Sequence, residues 1–347
     1  MNMNKHPHCP DCDSSDRFTR RDFIKTAGAT AAVLSSTPLW AQAKDTAVVS
    51  TPESIVKVFY DSLSPKQREK ICFGWDHTEP NRGLLRTHVS ANWHITEPDI
   101  NSDFYTDDQR AIIRKAFEGI IQPDWHKRID QQLDDDAGGY GEDQNVAIFG
   151  KPSDGKFEFV MTGRHMTLRC DGDSADHVVF GGPIFYGHAA EDFNEGPTHP
   201  GNVFWHQAVA ANKVYEMLDG RQRKAALIDR LPRESQVGFR DKLSNYPGIP
   251  VQNLSSDQKE LVQQVLTKLI EPYRQSDRDE CLAALKQQGG LDRCSLAFYR
   301  DGDIGNDQVW DCWRLEGPSF VWYYRGSPHV HVWVNVASTP DVQTNTG

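Results

Sequence analysis

This sequence is poor in basic residues and in long apolar runs. Its 347 residues include 38 Lys and Arg against 49 Asp and Glu, which gives a formal net charge of −11. Nucleic acids and anionic membrane surfaces are recognised by basic patches, so neither is an expected partner. After residue 43 no apolar run approaches the ~18 residues that a membrane helix requires. The chain is therefore expected to be free of the membrane once residues 1–43 are removed.

The sequence also lacks the short motifs of several familiar chemistries. It has no Gly-x-Ser-x-Gly elbow, no P-loop, no dinucleotide fingerprint and no His-Glu-x-x-His. Serine hydrolase, nucleotide-dependent and zincin-type activities are thus not indicated. The acidic run at 134–136 lacks the spacing of a calcium loop and is interpreted as a solvated turn.

Cysteine is sparse, with seven residues in the whole chain. Cys281 and Cys294 bracket a pair of glycines, and a disulfide between them is predicted for an oxidising compartment. The alternative is that the thiols are small buried side chains. The cysteines after residue 43 are Cys72, Cys170, Cys281, Cys294 and Cys312.

The start of the chain has the pattern of a twin-arginine export signal. Arg20 and Arg21 are followed by an apolar pair and Lys25, then by a mildly apolar stretch over 27–39 and by Ala-Gln-Ala at 41–43. Charged block, apolar block and cleavage site in this order are typical of a signal peptide. The sequence therefore predicts a Tat signal peptide over 1–43, the Tat translocase as partner during export, and a periplasmic or extracellular location. Tat substrates cross the membrane folded, which favours a bound metal or cofactor.

One local pattern occurs four times and predicts helix starts. A Leu or Tyr precedes a capping residue, and a glutamine stands three positions after the cap. Such a capping box satisfies backbone donors of the first helical turn. A further helix is predicted over 203–217. The four boxes are Ser64 with Gln67, Thr106 with Gln109, Asp219 with Gln222, and Ser255 with Gln258.

Runs rich in β-branched and aromatic residues follow each pair of helices and predict strands. They lie at 146–149, 157–161, 165–170, 178–185, 296–299, 309–315, 320–324 and 329–336. This order predicts an α+β domain over 44–340 with a tail at 341–347. Within it we expect two pseudo-equivalent halves, 52–200 and 201–340, each a helix pair plus antiparallel strands, packed as one compact unit. The run at 159–165 aligns with 313–319, which favours an internal duplication.

Histidines carry the strongest chemical signal. His329 and His331 stand two apart on a predicted strand, so both imidazoles point to one face and can hold one transition metal. His165 heads another predicted strand and could supply a third nitrogen. An exposed strand face without a ligand is the alternative. His188 and His206 are weaker candidates.

A second cluster lies over 75–99, in a segment predicted to be a loop between two capped helices. It combines Trp75, His77, Glu79 and Arg82 with Trp93, His94 and Glu97. Loops of this composition are typical linings for a polar organic ligand. Glu79 and Glu97 could act as paired carboxylates on a sugar. The alternative is that the tryptophans fasten a long loop to the core.

The chain resembles the bacterial family known as domain of unknown function 3500. The likeness covers most of the residues after the signal and rests on the helix starts and on the segments 149–153, 163–168, 185–187, 317–319 and 329–331. Arg164 stands where the family usually has a second histidine. The resemblance implies an exported protein, directs attention to His165, His329 and His331, and supplies no reaction.

Together these features predict a metal-dependent hydrolase or oxidoreductase acting on a small polar substrate. His165, His329 and His331 would bind zinc, copper or iron, with Arg164 or Glu79 as catalytic groups that contact the substrate. Substrate contacts are also expected from Trp75, His77, Arg82 and His188. Two alternatives remain open: a non-catalytic protein that binds a metal or small molecule, and a carbohydrate-binding or carbohydrate-processing protein that uses the loop at 75–99.

Overall fold

The computed structural model describes residues 51–189, 203–240, 246–304 and 309–345. The predicted signal segment and Cys9 and Cys12 lie outside these ranges. Within them the protein has an α+β fold, as the sequence predicts. No helix of the described ranges is both long and apolar enough to cross a membrane.

Eight α-helices occur in the described part of the chain. All four predicted capping boxes form, and each places its glutamine side chain on the backbone N–H of the cap residue. The helix predicted over 203–217 begins two residues later than expected. The helices are α1 (Pro52–Ser62), α2 (Pro65–Ile71), α3 (Asp107–Ile120), α4 (His126–Ala137), α5 (Trp205–Glu216), α6 (Gly220–Ala226), α7 (Ser256–Ile270) and α8 (Gln275–Gln287).

The strands form one large mixed sheet and one small hairpin. The sheet has the order β1-β4-β5-β6-β7-β13-β12-β11-β10-β8, and β9 pairs with β10; β2 and β3 form the hairpin. The strands are β1 (Cys72–Phe73), β2 (Thr78–Glu79), β3 (Gly83–Leu84), β4 (Gln144–Lys151), β5 (Lys156–Gly163), β6 (Met166–Cys170), β7 (Ile184–His188), β8 (Leu227–Ile228), β9 (Ile249–Pro250), β10 (Ser295–Tyr299), β11 (Cys312–Gly317), β12 (Phe320–Arg325) and β13 (Val330–Val336).

The large sheet consists of two five-strand arms that meet at the pair β7 and β13. The first arm is β1-β4-β5-β6-β7 and the second is β8-β10-β11-β12-β13. Each arm starts with a parallel pair, β1 with β4 and β8 with β10, and continues antiparallel. The parallel pairs differ from the purely antiparallel strands expected. The equivalence of two halves remains a prediction, although the pairing order is the same in both arms.

Helices cover one face of the sheet and two loop segments cover the other. On the helical face, Tyr186 of β7 donates a hydrogen bond to Gln207 of α5 at 2.8 Å. On the opposite face, Val89 and Val237 pack against Phe185 and Tyr323. The segments 84–99 and 228–240 therefore close the face that the helices leave open.

Two predictions about local structure are wrong. The strand expected over 178–185 forms only from Ile184, because three consecutive residues, Phe180, Gly181 and Gly182, have positive φ angles of 60°, 76° and 146° and turn the chain out of the extended conformation. The disulfide expected between Cys281 and Cys294 is not formed, since all five cysteines of the described ranges are free thiols. The Cys294 sulfur instead packs against Gly317, 2.7 Å from where a Cβ on that glycine would lie.

Candidate metal centre

Three histidines converge where β7 meets β13. His165 comes from the turn between β5 and β6, while His329 and His331 come from the start of β13 and the residue before it. Nε2 of His331 lies 3.0 Å from Nε2 of His165 and 2.9 Å from Nε2 of His329. One nitrogen from each ring lies within 4.8 Å of the others. These residues, here called the histidine cluster, are the three that the sequence analysis selects as metal ligands.

The two buried rings of the cluster are held by carboxylates. Asp136, near the end of α4, bonds Nδ1 of His165, and Glu234 in the segment 228–240 bonds Nδ1 of His331. A carboxylate only accepts, so Nδ1 of each ring must carry the proton. The Nε2 atom of each ring then faces the other at 3.0 Å. A cation between the two nitrogens would be bound by both rings.

A metal ion could be shared by all three rings, whereas a proton could not. One shared proton can join only one pair of nitrogens, whereas Nε2 of His331 faces both His165 and His329. A tetrahedral ion with bonds of about 2.0–2.1 Å separates its nitrogen ligands by about 3.3 Å. The two short separations are a few tenths of an ångström less than this, and the widest separation in the cluster, up to 4.8 Å, would have to shorten on binding. Histidine ligands with carboxylates on the other ring nitrogen are also the usual arrangement at zinc sites.

Each carboxylate also binds an arginine. Nε of Arg164 donates to Asp136 at 2.9 Å, and Nη2 of Arg325 lies 3.1 Å from Glu234. Burial raises the pKa of Asp136, but its bonds to His165 and Arg164 outweigh burial and bring the pKa to about 2. For Glu234 the bond to His331 and the charge of Arg325 likewise outweigh burial and lower its pKa. Both carboxylates are therefore ionised at neutral pH.

Burial keeps two of the cluster's rings neutral. It lowers the pKa of His331 to about 4, despite the opposing bond to Glu234. For His329, burial makes the largest contribution and the charges of His165 and Arg325 make smaller ones; together they lower its pKa to about 4. Metal binding needs unprotonated imidazole nitrogens, so both rings are ready to act as ligands at neutral pH.

Glycine and backbone geometry make the close approach of the rings possible. His165 has a φ of 53°, which is the left-handed region that non-glycine residues rarely adopt and that recurs at functional sites. Its amide N–H donates to the carbonyl of Ala91 at 3.1 Å. Gly187 pairs with His331 in the sheet, and a Cβ on Gly187 would overlap the Val330 carbonyl and lie 3.2 Å from the His165 ring. Gly187 thus leaves the space that the His165 ring fills.

A cleft of about 640 Å³ adjoins the cluster on the side of Arg164. Arg164 is held at Nε by Asp136, and its side chain is 40% exposed. Arg164, which precedes His165 in the chain, connects the cleft to the cluster. The residues that line the cleft are Asn92, Trp93, His94, Ala137, Glu142, Asp143 and Arg164.

The other selected residues do not join the cluster. Glu79 bonds Arg82 at 2.6 Å and lies 3.8 Å from His77, so these three form a separate polar group on the hairpin of β2 and β3 and just beyond its strands. Glu97 is 90% exposed beside Lys70. His188 pairs with Val330, one residue from Gly187, and therefore points to the opposite face of the sheet, 3.7 Å from Asp135.

The tryptophans of segment 75–99 are engaged by the protein itself. Arg86 and Lys156 lie over the Trp75 ring, 4.4 and 4.6 Å from its centre. Trp93 donates its indole N–H to Thr167 at 2.9 Å. Both tryptophans pack against the core of the first arm, which matches the alternative in which they fasten the loop.

Sequence reasoning missed the carboxylates that hold the histidines. Asp136 is not part of a solvated turn, because its side chain is fully buried against His165. A search for carboxylates able to serve a metal-binding histidine could have singled it out. Glu234 stands in a segment without regular structure, and no local pattern marks it.

The fold and the histidine cluster define an α+β protein with a site that could hold a metal ion. The chain belongs to the family described as protein of unknown function (DUF3500), whose model matches residues 45–336. No curated protein and no solved structure matches the chain.

Proposed function

We propose that this protein is a metal-dependent enzyme that acts on a small polar substrate. The observation that carries the proposal is the convergence of three Nε2 atoms, two of them with lone pairs directed at one point by Asp136 and Glu234. A zinc ion held there would supply Lewis-acid chemistry, and copper or iron would supply electron transfer. Three protein ligands leave a further coordination position for a substrate, as in catalytic rather than structural sites.

The residues of the site have distinct roles in this proposal. His165, His329 and His331 are the ligands. Asp136 and Glu234 fix the ring orientations and the tautomers, and they strengthen the rings as donors. His329 is only half-buried, so the open side of the site faces outward past this ring.

The first experiment measures metal content. Untagged protein would be compared by mass spectrometry with a His329→Ala/His331→Ala double variant and with a His77→Ala/His94→Ala control, whose histidines lie outside the cluster. We expect near-stoichiometric metal in the wild type and the control, and none in the folded cluster variant. Wild-type protein that stays free of metal after loading with zinc, copper, iron and manganese contradicts the proposal.

Turnover decides between an enzyme and a binding protein. A non-catalytic protein would hold its metal with the same ligands and convert no substrate. Metal-loaded wild-type protein would be screened with small esters, lactones, phosphate esters and reducing substrates. The His329→Ala/His331→Ala variant would be assayed with each of the same substrates. Metal without any cluster-dependent turnover would favour the binding protein.

We further propose that the protein is exported by the Tat pathway and acts in the periplasm or outside the cell. The pattern at 19–25 supports this, and the family match begins at residue 45, directly after the predicted cleavage region. Cell fractionation of wild type and an Arg20→Lys/Arg21→Lys variant tests it. Equal amounts of both in the periplasmic fraction would exclude Tat export.

A further inference from the structure

The charges around the histidine cluster balance before any metal is counted. The ligands are three imidazoles. When all three act as ligands, the imidazoles are neutral. The carboxylates that hold two of the rings, Asp136 and Glu234, are each matched by an arginine, Arg164 and Arg325. Among the described His, Cys, Asp and Glu residues, no carboxylate joins the three histidines as a possible ligand.

A divalent ion in this site would keep its full positive charge. At sites where a carboxylate is a ligand, the protein neutralises part of that charge; here the two carboxylates that bond the histidine rings are each paired with an arginine. The buried surroundings of His165 and His331, 1% and 8% exposed, make an uncompensated charge costly. An external anion at the open position removes that cost.

We propose that the open position of the site binds an oxyanion, carboxylate or phosphate, of the substrate. This inference rests on the proposed metal site and adds the substrate class to it. Arg164 and Arg325 act as positioning residues, because each neutralises the charge of a carboxylate that bonds a histidine of the cluster. Arg164 also lines the adjoining cleft, whose other charged residues, Glu142 and Asp143, are acidic, so the anionic group is expected at the open position and not deeper in the cleft.

The test uses protein loaded with cobalt(II), whose visible spectrum reports a change of ligand. Acetate, inorganic phosphate and the neutral acetamide would be titrated into the wild type. We expect a saturable spectral change with acetate or phosphate and none with acetamide. The anion that binds more tightly indicates whether the substrate carries a carboxylate or a phosphate. A cobalt-loaded protein that responds to no anion, or to acetamide equally, overturns the inference and leaves the metal site intact. Failure to bind cobalt or any other metal overturns both.

Variants test the charge argument by its sign. Arg164→Gln and Arg325→Gln leave an unmatched carboxylate and should weaken anion binding by roughly one order of magnitude, the size expected for a nearby unit charge at an effective dielectric constant near 20. Asp136→Asn should tighten anion binding. Arg164→Lys keeps the positive charge and should bind the anion as tightly as the wild type. Arg240→Gln is the matched control, because Arg240 is similarly exposed and bonds a buried glutamate, Glu316, at 2.8 Å in the second arm. Equal anion affinity in all these variants would overturn the inference.

Discussion

The turn between β5 and β6 and the turn between β11 and β12 have the same length and different uses. Gly163 pairs with Met166 across the first, and Gly317 pairs with Phe320 across the second, so each leaves two residues at the tip. In the first arm the tip is Arg164 and His165, which face Asp136. In the second arm it is Pro318 and Ser319, and the Ser319 amide donates to Gln288 at 2.8 Å. Turns of the same length thus place a ligand of the candidate metal centre in the first arm and a contact with a helix end in the second.

This difference shows where site residues are placed in such a sheet. The two arms share their strand order and their helix caps. Only the first arm has an imidazole at the turn, and a carboxylate near the end of α4 bonds it.

The largest effect is expected for Gly187→Ala. The new Cβ would overlap the Val330 carbonyl, so β7 and β13 must shift apart beside His331, and it would also press on the His165 ring. We expect metal binding to be lost, which calorimetric titration with zinc would measure. Gly317→Ala is the counterpart in the second arm; it crowds Cys294 and should lower the melting temperature without reducing zinc affinity. Normal zinc binding by Gly187→Ala would show that the glycine does not serve the site.

The next comparison sets Asp136→Asn against Glu316→Gln. Removing the charge that orients His165 should weaken metal binding by about 10- to 100-fold. Glu316 is buried with Arg314 at 3.0 Å, and its replacement leaves a buried guanidinium unmatched, which costs about 3 kcal/mol of unfolding free energy. Zinc titration and chemical denaturation of both proteins separate the effects. The comparison fails if Glu316→Gln alters zinc affinity as much as Asp136→Asn.

Smaller, equal effects are expected for Gln109→Ala and Gln258→Ala. Gln109 donates to the Ser62 carbonyl and to Gln67, while Gln258 donates to the Met217 carbonyl and to Gln222. Each glutamine therefore links the starts of two helices, and each truncation should cost about 1–2 kcal/mol by urea denaturation. Costs that differ by more than about 1 kcal/mol would count against equivalent halves.

The smallest effect concerns His206 at the start of α5 and depends on pH. Burial, followed by the charge of Arg128, lowers the pKa of His206 to about 4. The folded protein therefore binds fewer protons than the unfolded chain between about pH 6.5 and pH 4, and stability falls as pH drops through that window. In His206→Phe the loss between pH 7 and pH 5 should be about 1 kcal/mol smaller than in the wild type. Parallel curves for the two proteins would refute this.

The sequence predicted the helical layer better than the sheet edges or the site. Capping boxes are local, so Ser64, Thr106, Asp219 and Ser255 could be recognised from four-residue patterns. The alternation of valines around His331 likewise identified β13. The parallel pairs β1 with β4 and β8 with β10 depend on two-residue strands, which carry no periodicity.

The candidate site was only partly predictable for a similar reason. A His-x-His pair on a strand predicts that both imidazoles lie on one face, because alternate residues of a strand share a face. The positions of Asp136 and Glu234 depend on how distant segments fold against the sheet. Asp136 is 29 residues from its partner His165, and Glu234 is 97 residues from His331. No short pattern spans such separations.

The ligands of the histidine cluster come from both arms of the sheet, which gives a bound ion a mechanical role. An ion joining His165 to His331 would close a loop whose ends are 166 positions apart. It would act as a removable cross-link, and at a free concentration a thousand times its dissociation constant it would add about 4 kcal/mol to the free energy of unfolding. Such a cross-link can form only after both arms have docked, so possession of the ion would mark a chain that has finished folding.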